Sequence, residues 1–229
     1  MLFFVTINAM KKIDILTIFP EIVKPYLEGS IMGRAQDVGV VDFGVYNIRD
    51  FADNKHERVD DTPYGGGAGM VMQVGPIYRA VESQKSKVKS NEKSRIILLS
   101  AKGKRYTQRD AERLKEYDNL ILICGRYEGV DERVAQHIAH EEISIGDFVL
   151  AGGELGAMVI ADSVVRLLPG ALGNEESAVY ESHSVDGYRE HPQYTKPEKF
   201  NGWQVPKVLL SGNHAKIAKW RNDNSSNKN

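Results

Sequence analysis

The groups in this chain best suited to chemistry collect in three glycine-rich turns. Two of them lie within 119–166. The apolar run Leu120-Ile121-Leu122-Ile123-Cys124 feeds Gly125-Arg126-Tyr127-Glu128-Gly129, and Ile143-Ser144-Ile145 feeds Gly146-Asp147-Phe148-Val149-Leu150-Ala151-Gly152-Gly153. Ligands of open α/β sheets settle beyond the carboxyl ends of strands, so these two turns are expected to face each other around a small molecule. The third turn, Pro63-Tyr64-Gly65-Gly66-Gly67-Ala68-Gly69-Met70, closes a polar, aperiodic stretch over 47–69. A loop of that length in a compact domain is usually functional or disordered, and its glycines permit close backbone approach to a ligand. None of the turns has the Gly-x-Gly-x-x-Gly spacing of a dinucleotide fold or the spacing of a phosphate-binding loop. There is no Gly-x-Ser-x-Gly elbow, and the histidines are too scattered for a zinc site.

The elements that must position these turns read as alternating strands and helices. Strands are predicted over 13–19, 40–46, 95–100, 120–124 and 142–145. Helices are predicted over 22–28, 31–37, 76–84, 107–117, 130–137 and 155–168. Such alternation gives an α/β domain with a mostly parallel sheet. The helix over 155–168 is apolar nearly all round, which suits a central helix or a subunit interface. Arg166 lies near its end, where a cation also suits the helix dipole. The segment 170–187 has no periodicity and reads as a linker. Beyond it, 213–221 reads as a basic amphipathic helix with Ile217 and Trp220 inward, and 222–229 as a polar fray.

The net charge of −1 conceals an asymmetry. Between 187 and 229 there are eight Lys/Arg against three acids, a surplus of +5, so the remainder carries −6. A basic module on an acidic body points to a polyanion partner. The single cysteine, Cys124, cannot form an intrachain disulfide and sits in an apolar strand, so a buried, inert thiol is expected. No apolar run approaches the ~20 residues that span a membrane. Residues 1–10 form an N-terminal extension ahead of the first strand. Met10 is the simplest natural start, and an extra segment that docks elsewhere is the alternative.

Several long motifs, in order, resemble those of the bacterial tRNA (guanine-N1)-methyltransferase family. They are Pro63–Met70, 125–134, 144–154, Arg166-Leu167-Leu168-Pro169-Gly170 and 206–214, and the match runs from about Lys12 to Arg221. The resemblance implies an α/β fold whose mostly parallel sheet, flanked by helices, closes a deep trefoil knot, an exception to the rule that chains do not thread loops. It implies a knotted domain over 11–170, a linker over 171–187 and a small, basic, helical tRNA-binding domain over 188–229. It further implies S-adenosylmethionine bound in the knot and a cytoplasmic homodimer with active sites at the subunit interface; no metal site is read from the residues, and a divalent-ion requirement is left open. The substrate is the guanine immediately 3′ of the anticodon, in tRNAs where another guanine precedes it. The rival readings are a catalytically silent tRNA-binding protein and a knotted methyltransferase acting on another RNA.

Carried onto this sequence, the resemblance and the turn chemistry place the cofactor against Leu99, Ser100, Gly125, Tyr127, Glu128, Gly129, Ile145, Gly146, Asp147, Phe148, Val149, Leu150, Gly152 and Gly153. Methylation at N1 requires removal of the N1 proton and stabilisation of charge on O6. Arg166 suits the O6 role. For the base, the family has Asp followed by Ser shortly after the Pro-Gly turn, and this chain has Glu181-Ser182. Glu181 is therefore the expected base, with Asp186 the fallback and His183 a third candidate. Asp60 matches a position implicated in reading the preceding guanine, and Gly69 a loop near the target base. Ala68 and Ala101 stand where the family usually has proline. Ser182, Lys196, Lys199, Lys207, His214, Lys216, Lys219 and Arg221 are the remaining RNA-binding candidates, the basic ones as phosphate contacts.

Overall fold

A computed structural model describes residues 10–173 and 181–227. The expectations for 1–9, for 174–180 within the linker and for Lys228 lie outside these residues. The chain divides into two compact units, Met1–Gly173 and Asn174–Asn229.

In the first unit, β1 (Lys11–Thr17) leads into α1 (Pro20–Leu27), α2 (Ser30–Asp37) and β2 (Val41–Asn47). A 3-10 turn at Ile48–Phe51 follows, then the short strands β3 (Asp60–Asp61) and β4 (Val71–Met72) and the helix α3 (Val74–Lys85). The sequence then runs β5 (Ser94–Arg105), α4 (Gln108–Lys115), β6 (Asn119–Cys124), α5 (Glu132–His137), β7 (Glu141–Ser144) and α6 (Glu154–Val165). The main sheet has the order β2-β1-β6-β5-β7, and every pairing in it is parallel. A mixed α/β architecture with a central parallel sheet is thus present.

A parallel sheet is covered on both faces, so its strands read as continuous apolar runs. β6 is buried at all six positions. Its side chains alternate: Leu120, Leu122 and Cys124 join a core with α1, α2, α4 and α6, while Ile121 and Ile123 join a second core with α3 and α5. The register sets the carboxyl ends of β5, β6 and β7 close together, with Leu99 opposite both Cys124 and Ile143.

Three expectations change. The fifth strand does not stop at Ser100. It makes a four-residue excursion after Leu99, and Lys104 and Arg105 pair again with Ile143 and Ser144. Gly103 makes the return possible, since a Cβ there would stand 2.6 Å from backbone atoms of Glu142 and Ile143. Secondly, α6 is shorter than 155–168; it is buried on several faces, and Leu155 and Val159, one turn apart, leave an apolar face 53% and 44% exposed. Thirdly, the chain end is no fray as far as it is described. Helix α8 continues to Asn224, and Ser226–Asn227 pairs with Tyr188–Arg189.

That pair belongs to the second unit, which contains β8 (Tyr188–Arg189), β9 (Lys199–Phe200), β10 (Trp203–Gln204), α7 (Lys207–Leu210), α8 (His214–Asn224) and β11 (Ser226–Asn227). Asn201 and Gly202, both at positive φ, form the two-residue hairpin turn between β9 and β10. Asn213 caps α8 by accepting from Lys216 N at 3.0 Å. Trp220 packs against the rings of His191 and Tyr194.

Candidate active site

A cavity of about 430 Å³ opens where β5, β6 and β7 end. The turn 125–129 forms one wall and 145–153 another, so the two turns do face each other. The cofactor candidates named from the sequence line this cavity, with the exception of Asp147, which is turned to an ion pair with Arg105 at 3.2 Å. The β5 excursion adds Ala101, already noted where the family usually has proline, and Lys102, which the sequence does not point to because a polar run after an apolar strand looks like its end.

The walls are held by backbone and by missing side chains. Gly153 N donates to the Gly125 carbonyl at 2.9 Å. A Cβ on Gly153 would stand 2.8 Å from Cys124 Cα and 2.9 Å from Leu99 Cβ. One on Gly146 would meet the Phe148 ring at 2.3 Å. Ser144 Oγ donates to the Gly146 carbonyl at 2.9 Å and fixes the start of the second turn. Cys124 is fully buried; burial, with a smaller contribution from Glu154, pushes its thiol well above the usual range, so it stays protonated. Phe148, Val149 and Leu150 form an exposed apolar rim.

The third glycine turn docks against the first. Glu128 N donates to the Met70 carbonyl at 3.0 Å, Met72 N to the Gly129 carbonyl at 2.9 Å, and Asp131 N to the Met72 carbonyl at 3.0 Å. Gly69 has φ +82°, and a Cβ there would stand 2.4 Å from Glu128 Cγ. Tyr127 takes a left-handed φ of +61° and its hydroxyl accepts from Arg49 Nη2 at 3.2 Å. Asp60 pairs with Met72 across β3 and β4, so it rides on the same assembly.

Of the remaining polar candidates, Arg166 belongs to the first unit and the others to the second. Arg166 is the C-cap of α6, whereas Gly153, the N-cap, is in the cavity wall. Gly156, in the first turn of α6, also lines the cavity, and from it the helix rises about 15 Å along its axis to Arg166. Glu181 lies in the second unit, where Ser184 N donates to its carbonyl at 3.0 Å and Ser182 Oγ accepts from Glu190 N at 3.0 Å. His183 is left-handed at φ +71° and Asp186 is exposed. Lys196, Lys199, Lys207, His214, Lys216, Lys219 and Arg221 are all exposed. Among the described residues, no group of three or more His, Cys, Asp and Glu could hold a metal ion. Nor is any described helix long and apolar enough to cross a membrane.

Residues 10–229 match the model of the family described as tRNA (Guanine-1)-methyltransferase TrmD. The chain belongs to the tRNA (guanine-1)-methyltransferase family. Its similarity to curated members extends over most of its length. It is 56% identical over 214 residues to the tRNA (guanine-N(1)-)-methyltransferase of Bacillus velezensis, covering 93% of this chain and 87% of that one. Against the proteins of the same name from Geobacillus kaustophilus and Bacillus subtilis the identities are 56% and 55%, with 86% and 87% of those chains covered. The glycine turns that wall the cavity all lie within the matched span.

Proposed function

We propose that this protein is an S-adenosylmethionine-dependent tRNA methyltransferase that modifies N1 of the guanine immediately 3′ of the anticodon, where another guanine precedes it. The observation that carries this reading is the glycine-walled cavity at the ends of β5, β6 and β7, on a chain with relatives of that name along almost its whole length. The cavity fits the cofactor. Gly125, Gly146, Gly152 and Gly153 in its walls have Cβ positions already crowded by neighbouring atoms, its rim is apolar, and the 145–150 segment offers backbone groups to an adenine. A deep trefoil knot is part of the proposal, supported by the tight insertion of Gly153 between β5 and β6.

S-adenosylmethionine supplies an electrophilic methyl group on a sulfonium. The chain's own residues have the other tasks. Gly125, Tyr127 and 145–153 hold and orient the donor; Asp60 and the Gly69 loop read the guanines, whose adjacent N1–H and N2–H donors suit a carboxylate. Glu181 takes the N1 proton as the methyl–sulfur bond breaks and the N1–carbon bond forms, and Arg166 stabilises the charge on O6. Lys196, Lys199, Lys207, Lys216, Lys219 and Arg221, with Ser182 and His214, hold the anticodon stem-loop, whose unpaired bases can be splayed out for chemistry.

The working unit is a homodimer in the cytoplasm. Supporting this, Arg166 caps the end of α6 away from the cavity of its own chain, in keeping with a site completed by a second copy. The exposed apolar side chains Ile22 and Tyr26 on α1, Leu155 and Val159 on α6, and Phe148–Leu150 beside them offer it a surface.

Methyl transfer to tRNA transcripts tests the reading. Replacing the target guanine should abolish incorporation and replacing its 5′ neighbour should sharply reduce it. Indifference to both replacements, or no transfer to the unmodified transcript, overturns it.

A further inference from the structure

The two cavity turns are joined by a side-chain link that the proposed reaction does not use. Glu154, the first residue of α6, is 1% exposed and does not line the cavity. Its Oε1 accepts from Thr17 Oγ1 at 2.6 Å and from Arg126 Nε at 3.1 Å, and that Nε is also 2.9 Å from Oε2. The same guanidinium donates from Nη1 to the Ala151 carbonyl at 3.2 Å and lies 4.7 Å from the centroid of the Phe19 ring. Gly152 leaves the space it occupies: a Cβ there would stand 2.1 Å from Arg126 Nε. Arg126 belongs to the first turn, Ala151 and Gly152 to the second, and Thr17 and Phe19 to the end of β1 and the residues after it.

Burying an ion pair costs desolvation that its attraction often fails to return, whereas removing one partner leaves an uncompensated buried charge. A pair placed here serves to fix what it joins. We propose that Glu154 is a positioning residue that acts through Arg126: the pair sets the distance between the two turns, and with it the affinity for the methyl donor, while leaving proton removal and methyl transfer untouched. The inference rests on the methyltransferase reading above. It also gives Gly152 a specific purpose, since the guanidinium stands where any other side chain would start.

Glu154→Gln keeps the shape and removes the charge. Its Kd and KM for S-adenosylmethionine should rise about tenfold, as for one lost charged contact, with kcat at saturating donor within about threefold of wild type. Arg126→Met should behave alike, and the double variant should be no worse than Arg126→Met alone, because contacting residues that act as a unit are not additive. A Kd within about twofold of wild type in both single variants overturns the inference even if the melting temperature falls, and so does a kcat loss at unchanged Kd. Should Glu154→Gln fail to fold, Thr17→Val removes the second donor to the carboxylate, together with the acceptor for Phe19 N. A rise of about threefold in Kd then supports the inference and an unchanged Kd overturns it. Wild type is measured alongside: no donor binding by wild type removes the methyltransferase reading itself, whereas equal binding by wild type and variants removes only the role of Glu154.

Discussion

At the scale of single residues, the departure that matters most is Glu181 where relatives are expected to carry aspartate. Glutamate keeps the carboxylate and adds a methylene. Glu181→Ala should lower methyl transfer by ~10²–10⁴-fold, the usual worth of a general base, with donor binding retained in calorimetry. Glu181→Asp should keep much of the activity, and Asp186→Ala should leave it nearly unchanged if Glu181 is the base. Gly153 offers a test of the cavity wall. Its φ of −80° is ordinary, so alanine would be accepted by the backbone, but the new Cβ would press on Cys124 Cα and Leu99 Cβ at 2.8 and 2.9 Å. Overpacking of this kind costs about 1–3 kcal/mol. Urea denaturation of Gly153→Ala should show that loss, and donor binding should weaken with it.

At the scale of elements, Glu141 ties an edge strand to its surroundings. It opens β7 and accepts from Arg95 of β5 at 2.7 Å and from Arg113 of α4 at 2.8 and 2.9 Å. Burial pushes this carboxyl up, but the bonds from Arg113 and Arg95 outweigh it and hold it below the usual range. A carboxylate depressed in the folded state contributes stability above its unfolded pKa and loses it as pH falls through the folded value. Wild type should therefore lose stability on acidification below about pH 4.5, and Glu141→Gln should show a shallower loss between neutral and acid urea titrations. The strands carrying the core were legible because apolar runs in a parallel sheet leave a continuous signal. Most of the cavity was legible too, because glycine turns directly after such runs have few other uses. What escaped was set by tertiary contact. The β5 excursion looks like a strand end because Lys102, Lys104 and Arg105 are polar. The pair β8 and β11 has two residues a side, far apart in the chain, with no period to read. Arg126 and Glu154 look like ordinary turn residues until the fold brings them together.

At the scale of the whole molecule, a site completed by a second copy predicts complementation. Glu181→Ala and a cavity variant that no longer binds the donor, each inactive alone, should recover about a quarter of wild-type activity when co-refolded, since half the dimers are mixed and each holds one intact site. No recovery would place base and cavity in the same chain. A charge on the apolar face, as in Val159→Asp, should yield a monomer by sedimentation and abolish transfer. The docking of the 63–70 loop on the 125–129 turn has a wider consequence. Gly69 must stay bare because Glu128 fills its side-chain position, and Met70 and Met72 exchange backbone hydrogen bonds with 128–131. In the proposed reading, the loop that meets the nucleic acid and the turn that meets the donor thus share one set of contacts, so ordering either one prepays part of the ordering of the other. Linkage then requires reciprocity: whatever factor S-adenosylhomocysteine adds to tRNA affinity, tRNA must add to the affinity for S-adenosylhomocysteine. Breaking those contacts with Gly69→Ala should drive both factors towards one, and the enzyme would bind its two substrates as strangers.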